Sequence, residues 1–474
     1  MTAEPIPLTP ERAPLANFAA LGTGEVLGRA IGFLATTLLA RRLGVEAFGY
    51  LGFATAVIAY LGVSLTAGFG EIGSREVARA PGRAAAIAAD VTAIRVLIAV
   101  SGIVVVVVLG YAFVAVPLQR AVLIVGGLSL LALALDPTWV YRGLSRNQTA
   151  AAAFLLSQVI YLGGVLTFVG SGADVIRVPL IQFAGDLAAA TLLLFLLFRS
   201  SRVRPRLARG MPLLRQSGFI TASRLIRTVI VTFDVLVLAA LAGSASVGLY
   251  TAAYRVCMLV TMIAVATHVV YLPGITVAAS AGMERVSSVL RESLALTVSV
   301  ILPLVVGGII VATPLLTFLF GAEYAPAAPA FRVLLASIGI LALHGTTHNV
   351  FIALHQTRRE MLIFAVAATI NVILNLLLIP RYALLGAAVA TLAAETFILI
   401  VGATSLFRAG IRAGGRAFVS PVLASAAMGI VLLPLTQRVP VWAAIAGGGA
   451  IYLAVFAATG GVFALRRRGE SATA

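Results

Sequence analysis

The segment LGTGEVLGRAIGFLATTLLARRLG, residues 21–44, decides the fold class. It lies in an apolar run long enough to cross a bilayer, which takes about 20 residues. Glu25 and Arg29 interrupt this run, and because they are one helical turn apart they share a face and can pair. Charged groups inside a membrane are costly and generally face a partner or a watery cavity. The segment therefore predicts a membrane helix with an internal polar face.

The composition is typical of a polytopic membrane protein. Hydrophobic residues make up 61% of the 474 positions and charged residues 11%, with a mean hydropathy of +1.08, which is far more apolar than a soluble domain. The formal net charge of +17 comes from arginine, since the chain has no lysine. No basic face or aromatic RNA-binding motif gathers these arginines, so we expect no nucleic-acid partner. The single cysteine, Cys257, is expected in the core.

Fourteen apolar runs are long enough to span a bilayer. They lie near residues 16–40, 47–69, 86–112, 120–140, 149–170, 176–198, 216–241, 247–273, 286–312, 328–354, 360–379, 383–407, 418–436 and 441–465. The first 14 residues lack the features of a signal peptide, so the first helix is expected to remain. With a cytoplasmic N-terminus, arginines outside the spans show a roughly threefold excess on the cytoplasmic side, which fits the positive-inside rule. We therefore expect both termini in the cytoplasm.

The two halves of the chain resemble each other. LLARRLGVEAFGYLGFATA (38–56) aligns with VLAALAGSASVGLYTAAYR (237–255) at an offset of 199, and YRGLSRNQ from 141 matches FIALHQTR from 351 more weakly at an offset of 210. The first alignment matches Gly44 with Gly243 and Gly49 with Gly248, and Ala54 with Ala253. Units with an even number of spans share one orientation, which predicts parallel repeats around a central cavity. Chance similarity between segments rich in glycine and alanine is the alternative.

The repeat predicts that the chain is organised in three parts. We expect a six-helix lobe at 1–198, a second six-helix lobe at 199–410, and two additional helices with a cytoplasmic tail at 411–474. The longest connection, about 17 residues at 199–215, divides the lobes. The connections are too short to form a soluble catalytic domain.

Ionisable residues inside the spans concentrate in a few helices. They are Glu25 and Arg29 in span one, Asp90 and Arg95 in span three, Asp186 in span six, Arg224, Arg227 and Asp234 in span seven, Arg255 in span eight and Glu395 in span twelve. Spans one and seven open the two repeats, so lobes that meet there would enclose an arginine-lined chamber. Arginine binds phosphate through a planar fork and stays charged, which points to a phosphate-bearing substrate. Salt bridges or snorkelling side chains are the alternative, chiefly for Arg95 and Arg224.

Other polar residues in the spans have less specific interpretations. His344 and His348, one turn apart on span ten, could hold a metal, but no acid accompanies them, so cavity lining or hydrogen bonding between helices is favoured. Asn371 and Asn375 are expected to pack between helices. Asp136 and Trp139, in LDPTWVYRGL, are expected to cap a helix or to anchor it at the interface on the cytoplasmic side.

Four stretches are similar to one known family. LLARRLGVEAFG with the upstream Arg29, LDPTWVYRGL, LFGAEYAPAAPAFRVL (319–334) and INVILNLLLIPRYALLGAAVATLAAE (370–395) resemble the polysaccharide-transport family. Its members are bacterial oligosaccharide-lipid flippases of the O-antigen, Wzx-like type, in the MOP superfamily with MATE exporters and lipid II flippases. The resemblance implies an all-α, MATE-like core of two pseudo-symmetric six-helix lobes, with two extra C-terminal helices, that opens alternately inward and outward.

The resemblance also implies the substrate and its site. Family substrates are polyprenyl-pyrophosphate-linked glycans, whose headgroup crosses a cationic cavity while the lipid tail stays in the bilayer. Arg29 best matches a cavity arginine, followed by Arg255 and Arg227, with Arg224 one turn away; the lysines common in such cavities are absent here. We expect Arg29 to receive the pyrophosphate and Glu25 to neutralise Arg29 while the site is empty.

The sequence leaves coupling and several rivals open. Protons or sodium could be coupled through Glu25, Asp234 or Glu395; no P-loop is present, and neither a cofactor nor enzymatic activity is expected. A lipid II flippase is a close rival, and a MATE multidrug exporter would favour an acidic and aromatic lining. A glycan polymerase or ligase would need a larger outer loop. Expected partners are membrane lipids and a polysaccharide polymerase with other assembly proteins, in the bacterial cytoplasmic membrane.

Overall fold

The computed structural model describes residues 14–66, 68–199, 203, 207–412 and 418–461. Over these residues all regular secondary structure is helical. Ten segments of this described part are long and apolar enough to cross a membrane, and two shorter apolar helices, Val231–Leu241 and Val419–Leu435, accompany them. The chain is therefore an all-α, multi-pass membrane protein, as its composition predicts.

Sixteen α-helices follow one another along the described chain. They are α1 (Pro14–Thr66), α2 (Phe69–Arg79), α3 (Ala84–Phe113), α4 (Pro117–Gly126), α5 (Ser129–Leu135), α6 (Thr138–Gly143), α7 (Asn147–Phe168), α8 (Arg177–Phe198), α9 (Leu207–Leu241), α10 (Gly243–Ala281), α11 (Met283–Ile310), α12 (Ala312–Phe320), α13 (Ala328–Ala353), α14 (Thr357–Arg408), α15 (Val419–Leu435) and α16 (Val441–Ala458).

The helices group into two compact units. Unit 1 comprises Met1–Thr36, Leu61–Gly170 and Ile176–Thr221, and unit 2 comprises Thr37–Tyr60, Ser171–Val175 and Ala222–Ala474. Helices α2 to α8 therefore lie in unit 1 and α10 to α16 in unit 2, whereas α1 and α9 contribute to both. In unit 2 the C-terminal pair α15 and α16 packs on α11. There the Tyr452 hydroxyl donates to the Ser299 carbonyl oxygen at 2.6 Å.

Two long helices each contain two of the predicted spans, separated by a kink. The backbone of α1 leaves the helical region at Gly44, where φ is +76°, and that of α14 does so at Ala383, where φ is +46°. Glycine adopts a positive φ without strain. In α14, Pro380 removes a backbone hydrogen bond shortly before the kink. The number of membrane spans, fourteen, stays a prediction.

The structure differs from the sequence prediction in two places. The predicted span at 120–140 lies within one candidate span, Pro117–Gly143, but it is not one continuous helix. The helix is interrupted after Gly126, where two consecutive glycines weaken it. It is interrupted again before Pro137, because proline disfavours helical geometry for the preceding residue. The prediction of a 17-residue connection without helix at 199–215 was wrong, because α9 already begins at Leu207. Residues 200–202 and 204–206 lie outside the described residues.

The repeat predicted from the sequence is visible in the backbone. Ser145 and His355, which the offset of 210 matches, both have a positive φ, +57° and +55°. Each follows a helix, and the next residue closes the same turn: the Arg146 N–H donates to the Tyr141 carbonyl oxygen at 2.8 Å, and the Gln356 N–H to that of Phe351 at 2.9 Å. The matched stretches therefore fold into the same helix-ending turn.

The matched glycines Gly49 and Gly248 bring two repeat-related helices into contact within unit 2. A Cβ added at Gly49 would collide with the backbone carbonyl of Ser244, and a Cβ at Gly248 would collide with that of Val45. The two contacts are reciprocal, because Val45 and Ser244 are themselves matched by the offset of 199. Only glycine allows the two backbones to approach this closely.

We therefore expect Gly248→Ala and Gly49→Ala to destabilise the protein. The added methyl meets backbone atoms that cannot move aside as a flexible side chain does, so the free energy of unfolding should fall by about 3 kcal/mol, the upper part of the range for overpacking. Thermal unfolding in mild detergent measures the change. Gly163→Ala is the matched control, because a Cβ at that helical glycine has nothing within 4 Å. Equal unfolding temperatures for all three variants would contradict the reciprocal contact.

Candidate substrate-binding site

A cavity of about 810 Å³ lies within unit 1. The start of α1 and parts of α5, α6, α7 and α8 form its wall. The polar and charged side chains on the wall are Glu25, Arg29, Ser129, Asp136, Thr138, Arg142, Asn147, Ser157 and Asp186. Small side chains of α7 and α8 leave the space open, and they are Ala150, Ala151, Ala153, Ala189 and Ala190. We call this the unit 1 cavity.

Glycines bring α1 close to α7 beside this cavity. Gly24, Gly28 and Gly32 recur every fourth residue in the segment quoted first. A Cβ at any of them would come within 3.1 Å of a side chain of α7, and at Gly28 it would meet the ring of Phe154. Such spacing of small residues is typical of close helix packing in membranes. The sequence prediction missed this motif, although the spacing alone is enough to identify it.

Glu25 and Arg29 form the ion pair that the sequence predicts. The Arg29 Nη2 donates to the Glu25 Oε1 at 2.8 Å. The side chains are 46% and 44% exposed and both line the unit 1 cavity. Because an exposed ion pair is worth only about 0–1 kcal/mol, an anion that enters the cavity can take the place of Glu25 on the guanidinium at low cost.

The other two carboxylates of the unit 1 cavity already accept hydrogen bonds. Asp136 accepts from the Thr138 N–H at 2.9 Å at the start of α6, although the N-cap position of that helix is Pro137. Asp186 accepts from the Ser157 hydroxyl at 2.6 Å and from the Gln182 amide at 2.9 Å. A carboxylate has about four acceptor positions, so both can still accept from a ligand.

Arg95 has a structural role through backbone carbonyls, which differs from both the salt bridge and the snorkelling position of its alternative interpretation. It is 2% exposed, and it donates to the carbonyl oxygens of Leu133 and, at 2.8 Å, of Asp136. These carbonyls belong to the C-terminal end of α5, where a cation is favourable. Arg95 thereby holds the backbone of Asp136 at the wall of the unit 1 cavity.

Arg142 and Asn147 line the unit 1 cavity but were not predicted as site residues. Arg142 lies in the last turn of α6, and Asn147 begins α7. Nothing in the local sequence separates Arg142 from the other arginines of the connections. Its place in the site depends on the interruption that separates α5 from α6.

The remaining candidate arginines lie in unit 2. Arg224 and Arg227 on α9 and Arg255 on α10 are all exposed. The guanidinium carbon of Arg227 lies 4.9 Å from the ring centroid of Phe364, which is a cation–π contact. The chamber predicted to gather these arginines with Arg29 of unit 1 stays a prediction.

The candidate coupling carboxylates of unit 2 are buried. Asp234 is 1% exposed and accepts from the Tyr250 hydroxyl and, at 2.8 Å, from the Val235 N–H. Glu395 is 7% exposed, and its Oε2 lies 2.5 Å from the Nε2 of His344. Both acids therefore already have hydrogen-bond partners.

The prediction that no acid accompanies His344 and His348 was wrong. Glu395 pairs with His344, and Glu360 pairs with the Nδ1 of His348. Both acids are on α14, which packs against α13, so the pairs join positions 51 and 12 residues apart. Over the described residues, no group of three or more His, Cys, Asp or Glu is arranged to hold a metal ion.

The core position predicted for Cys257 is confirmed, whereas the packing between helices predicted for Asn371 and Asn375 stays a prediction. Asn371 and Asn375 are fully buried, and the Asn375 amide donates to the Asn371 carbonyl oxygen at 2.9 Å. Cys257 is buried with a free thiol. Each residue thus serves the packing of its helix.

Comparison with known proteins identifies a family and a fold. The family model described as "Polysaccharide biosynthesis protein" matches residues 15–279. No curated protein matches the chain by sequence.

Three solved structures share the fold. The lipid II flippase MurJ in an inward closed conformation is 16% identical with a TM-score of 0.74, over 93% of this chain and 98% of that chain. An inward-facing multidrug resistance MATE family transporter of the MOP superfamily is 14% identical with a TM-score of 0.68, over 84% and 100%. A MOP superfamily transporter from Pyrococcus furiosus, with a binding pocket described as having reverse polarity, is 17% identical with a TM-score of 0.56, over 82% and 95%.

The unit 1 cavity predicts a pattern of thiol reactivity. Ala151→Cys places a thiol on the cavity wall, so we expect it to react with a charged, membrane-impermeant thiol reagent, whereas the native Cys257 is buried and should stay unlabelled. Val159→Cys is the matched control, because Val159 lies on an apolar exposed face of the same helix and should react only with a lipophilic reagent. Mass spectrometry of the labelled protein measures both. An inert Ala151→Cys would show that water does not reach the wall.

Proposed function

The chain belongs to the polysaccharide biosynthesis protein family, and on that basis we propose that it is a flippase for lipid-linked oligosaccharides. Its substrate is a polyprenyl-pyrophosphate-linked glycan, moved from the cytoplasmic to the outer leaflet for cell-surface polysaccharide synthesis of the O-antigen type. The lobes 1–198 and 199–410 alternate access, and 411–474 adds two helices. The protein lies in the bacterial cytoplasmic membrane with both termini in the cytoplasm, and a polysaccharide polymerase receives the product.

The observation that carries this proposal is the exposed Glu25–Arg29 pair on the wall of the unit 1 cavity. A permanent cation inside an apolar helix is costly unless it meets a partner or water. Arg29 can have both, because Glu25 compensates its charge and the cavity that it lines has room for water. A pyrophosphate offers the guanidinium a bidentate acceptor with more charge than a single carboxylate. In the proposed cycle the headgroup replaces Glu25, and Glu25 returns when the headgroup leaves.

The rest of the cavity wall suits sugar hydroxyls. Asn147 and Ser157 can donate and accept hydrogen bonds, and Asp136 and Asp186 retain acceptor positions. A volume of about 810 Å³ lies in the range of pockets that enclose small ligands, about 300–1,000 Å³. The cavity is therefore large enough for the sugar units next to the pyrophosphate, while the polyprenyl tail stays in lipid.

The exposed arginines of unit 2 are further candidates for binding the anion. Arg227 and Arg255, with Arg224 beside them, are the candidates to contact the pyrophosphate from the second lobe. The membrane potential, negative inside, supplies a driving force. Moving one charge is worth about 2.3 kcal/mol per 100 mV, so a headgroup with about two negative charges gains about 4–5 kcal/mol on export if no cation accompanies it.

Coupling to protons or sodium is the finer part of the proposal. Glu25 is the exposed candidate, and Asp234 and Glu395 are the buried ones. Flux of the labelled substrate into inverted vesicles, with the pH gradient and the sodium gradient varied independently, tests this coupling. If neither gradient alters the flux, the membrane potential alone drives transport.

A multidrug exporter is the second candidate, because the unit 1 cavity contains three carboxylates, Glu25, Asp136 and Asp186. Acidic walls attract cationic drugs. Two arginines on the same wall, Arg29 and Arg142, however, offset two of these three negative charges, which weakens the attraction for a cationic drug. Accumulation of a cationic dye in cells with and without the protein distinguishes a multidrug exporter from a glycolipid flippase. Complementation of a lipid II flippase mutant tests lipid II as the substrate. Chain growth with purified protein and lipid-linked sugar would instead reveal a polymerase.

We expect Arg29→Ala to lower glycolipid flux by about tenfold or more, because it removes charge-assisted hydrogen bonds worth about 1.5–3 kcal/mol. Arg29→Lys should retain part of the flux, since lysine keeps the charge but loses the bidentate geometry. Flux in vesicles, corrected for the amount of inserted protein, is the measurement.

The matched control for this prediction is Arg120→Ala. Arg120 is an arginine of the same unit outside the cavity, with its guanidinium 5.1 Å from the Tyr111 ring centroid, so its removal should leave the flux unchanged. Wild-type flux in Arg29→Ala would remove Arg29 from the site.

A further inference from the structure

The place in unit 2 that corresponds to the unit 1 cavity is filled by titratable side chains. The offset of 210 matches Phe154, on the wall of the unit 1 cavity, with Phe364. Around Phe364 the open space is only about 10 Å³. The side chains that fill it include His348 and Glu360, where unit 1 has Thr138 and Ala150 at the matched positions. The two repeats thus keep a common backbone and differ in what occupies this space.

Two imidazole–carboxylate pairs form this filling, which we call the histidine cluster: His344 with Glu395, and His348 with Glu360. The atoms of the first pair are 2.5 Å apart, and its side chains are 7% and 9% exposed. In the second pair the side chains are 29% and 10% exposed. Each hydrogen bond needs one proton between nitrogen and oxygen, and each pair can take up a second proton on the other ring nitrogen. A pair therefore carries a charge of −1 or 0, depending on the proton concentration.

Arg227 is the cation that interacts electrostatically with the charge of these pairs. Its guanidinium lies over the Phe364 ring at 4.9 Å, and both imidazole rings stand edge-on to the same ring at 6.2 and 6.5 Å. Arg227 interacts electrostatically with both Glu395 and His348. The arginine itself is exposed, so a ligand can reach it while the histidine cluster beside it stays mostly buried.

Other charged and titratable groups face the histidine cluster from neighbouring helices. They are Tyr254 and His268 on α10, and Arg224 on α9 interacts with Arg227 beside the cluster. The Nε2 of His268 lies 2.9 Å from the Ala342 carbonyl oxygen of α13. This contact is possible because residue 345 is glycine, where a Cβ would run into the imidazole ring. His268 is therefore held in place, and it adds a further group that disfavours extra positive charge.

We propose that the histidine cluster is a proton-binding site that sets the affinity of Arg227 for a phosphate-type anion. With both carboxylates ionised and the imidazoles neutral, the histidine cluster and Arg227 together carry −1, which disfavours an anion. Uptake of two protons brings the sum to +1, which favours it. In the reverse direction, an anion on Arg227 cancels the repulsion between its guanidinium and a protonated His348. Proton uptake and anion binding therefore strengthen each other, as linkage requires.

This inference deepens the proposed function and rests on it for the identity of the anion. It adds net proton uptake to anion binding at Arg227 in unit 2, whereas Arg29 in unit 1 contributes a permanent cation.

Binding of inorganic pyrophosphate to the detergent-solubilised full chain at pH 6, 7 and 8 tests the proposal. We expect affinity to rise by about tenfold from pH 8 to pH 6 after correction for the probe's own titration, within the usual range of coupling. Calorimetry in two buffers of different ionisation enthalpy should show net proton uptake on binding. Arg227→Ala should abolish the pH-dependent part.

Two double variants shift the affinity in opposite directions, which a merely structural role would not produce. Glu360→Gln with Glu395→Gln removes the negative charges and should give high affinity at every pH. His344→Gln with His348→Gln keeps the carboxylates ionised and should give low affinity at every pH. His355→Asn is the control, because His355 is exposed outside the histidine cluster and asparagine accepts its positive φ. It should keep the wild-type pH profile.

The outcomes separate this inference from the flippase proposal. Parallel pH profiles in all variants, or no pyrophosphate binding by the wild type at any pH, overturn the histidine cluster as a proton site, even if glycolipid flux in vesicles is intact. Loss of the flippase activity itself is judged by that flux and by Arg29→Ala. Normal flux in Arg29→Ala together with opposite shifts in the double variants would refute the unit 1 site and leave the proton linkage standing.

Discussion

The close packing of α1 on α7 is the contact on which the unit 1 site depends. Three glycines at four-residue spacing let the helices approach, and a side chain at Gly28 would strike the ring of Phe154, which lines the cavity. The same turns of α1 carry Glu25 and Arg29. Without the adjoining space, this ion pair would face lipid at a cost of several kcal/mol. Helix packing and charge placement are therefore one constraint, encoded in the nine consecutive residues 24–32 of one helix.

The two repeats show how one backbone supports two kinds of site. The turns at Ser145 and His355 share a positive φ and the same closing hydrogen bond, and the matched phenylalanines, Phe154 and Phe364, both face the space enclosed by their repeat. In unit 1 alanines leave that space open, whereas in unit 2 histidine and glutamate fill it. Backbone geometry depends on a few glycines and turn residues, so the remaining positions are free to diverge in chemistry.

The sequence predicts those features that depend on local spacing. Span positions follow from hydropathy, and the Glu25–Arg29 pair follows from its four-residue spacing because both residues lie on one helix. The histidine–carboxylate pairs could not be predicted, since His344 and Glu395 are 51 positions apart and meet only through the packing of α13 on α14. Arg142 was missed for a related reason. Its place on the cavity wall depends on the interruption between α5 and α6, which hydropathy averages over.

The exposure of the Glu25–Arg29 pair matters for a carrier, because a carrier must release what it binds. A buried ion pair that loses one partner is destabilised by about 3–5 kcal/mol, so a headgroup displacing a buried Glu25 would bear most of that cost. A buried Glu25 would thus make headgroup binding too weak. An arginine with no acid nearby would instead bind a diphosphate too tightly to release it. With both side chains nearly half exposed, the competition from Glu25 is worth about 0–1 kcal/mol. The Glu25–Arg29 interaction is thus strong enough to form again after the headgroup leaves, and weak enough for the next headgroup to displace Glu25.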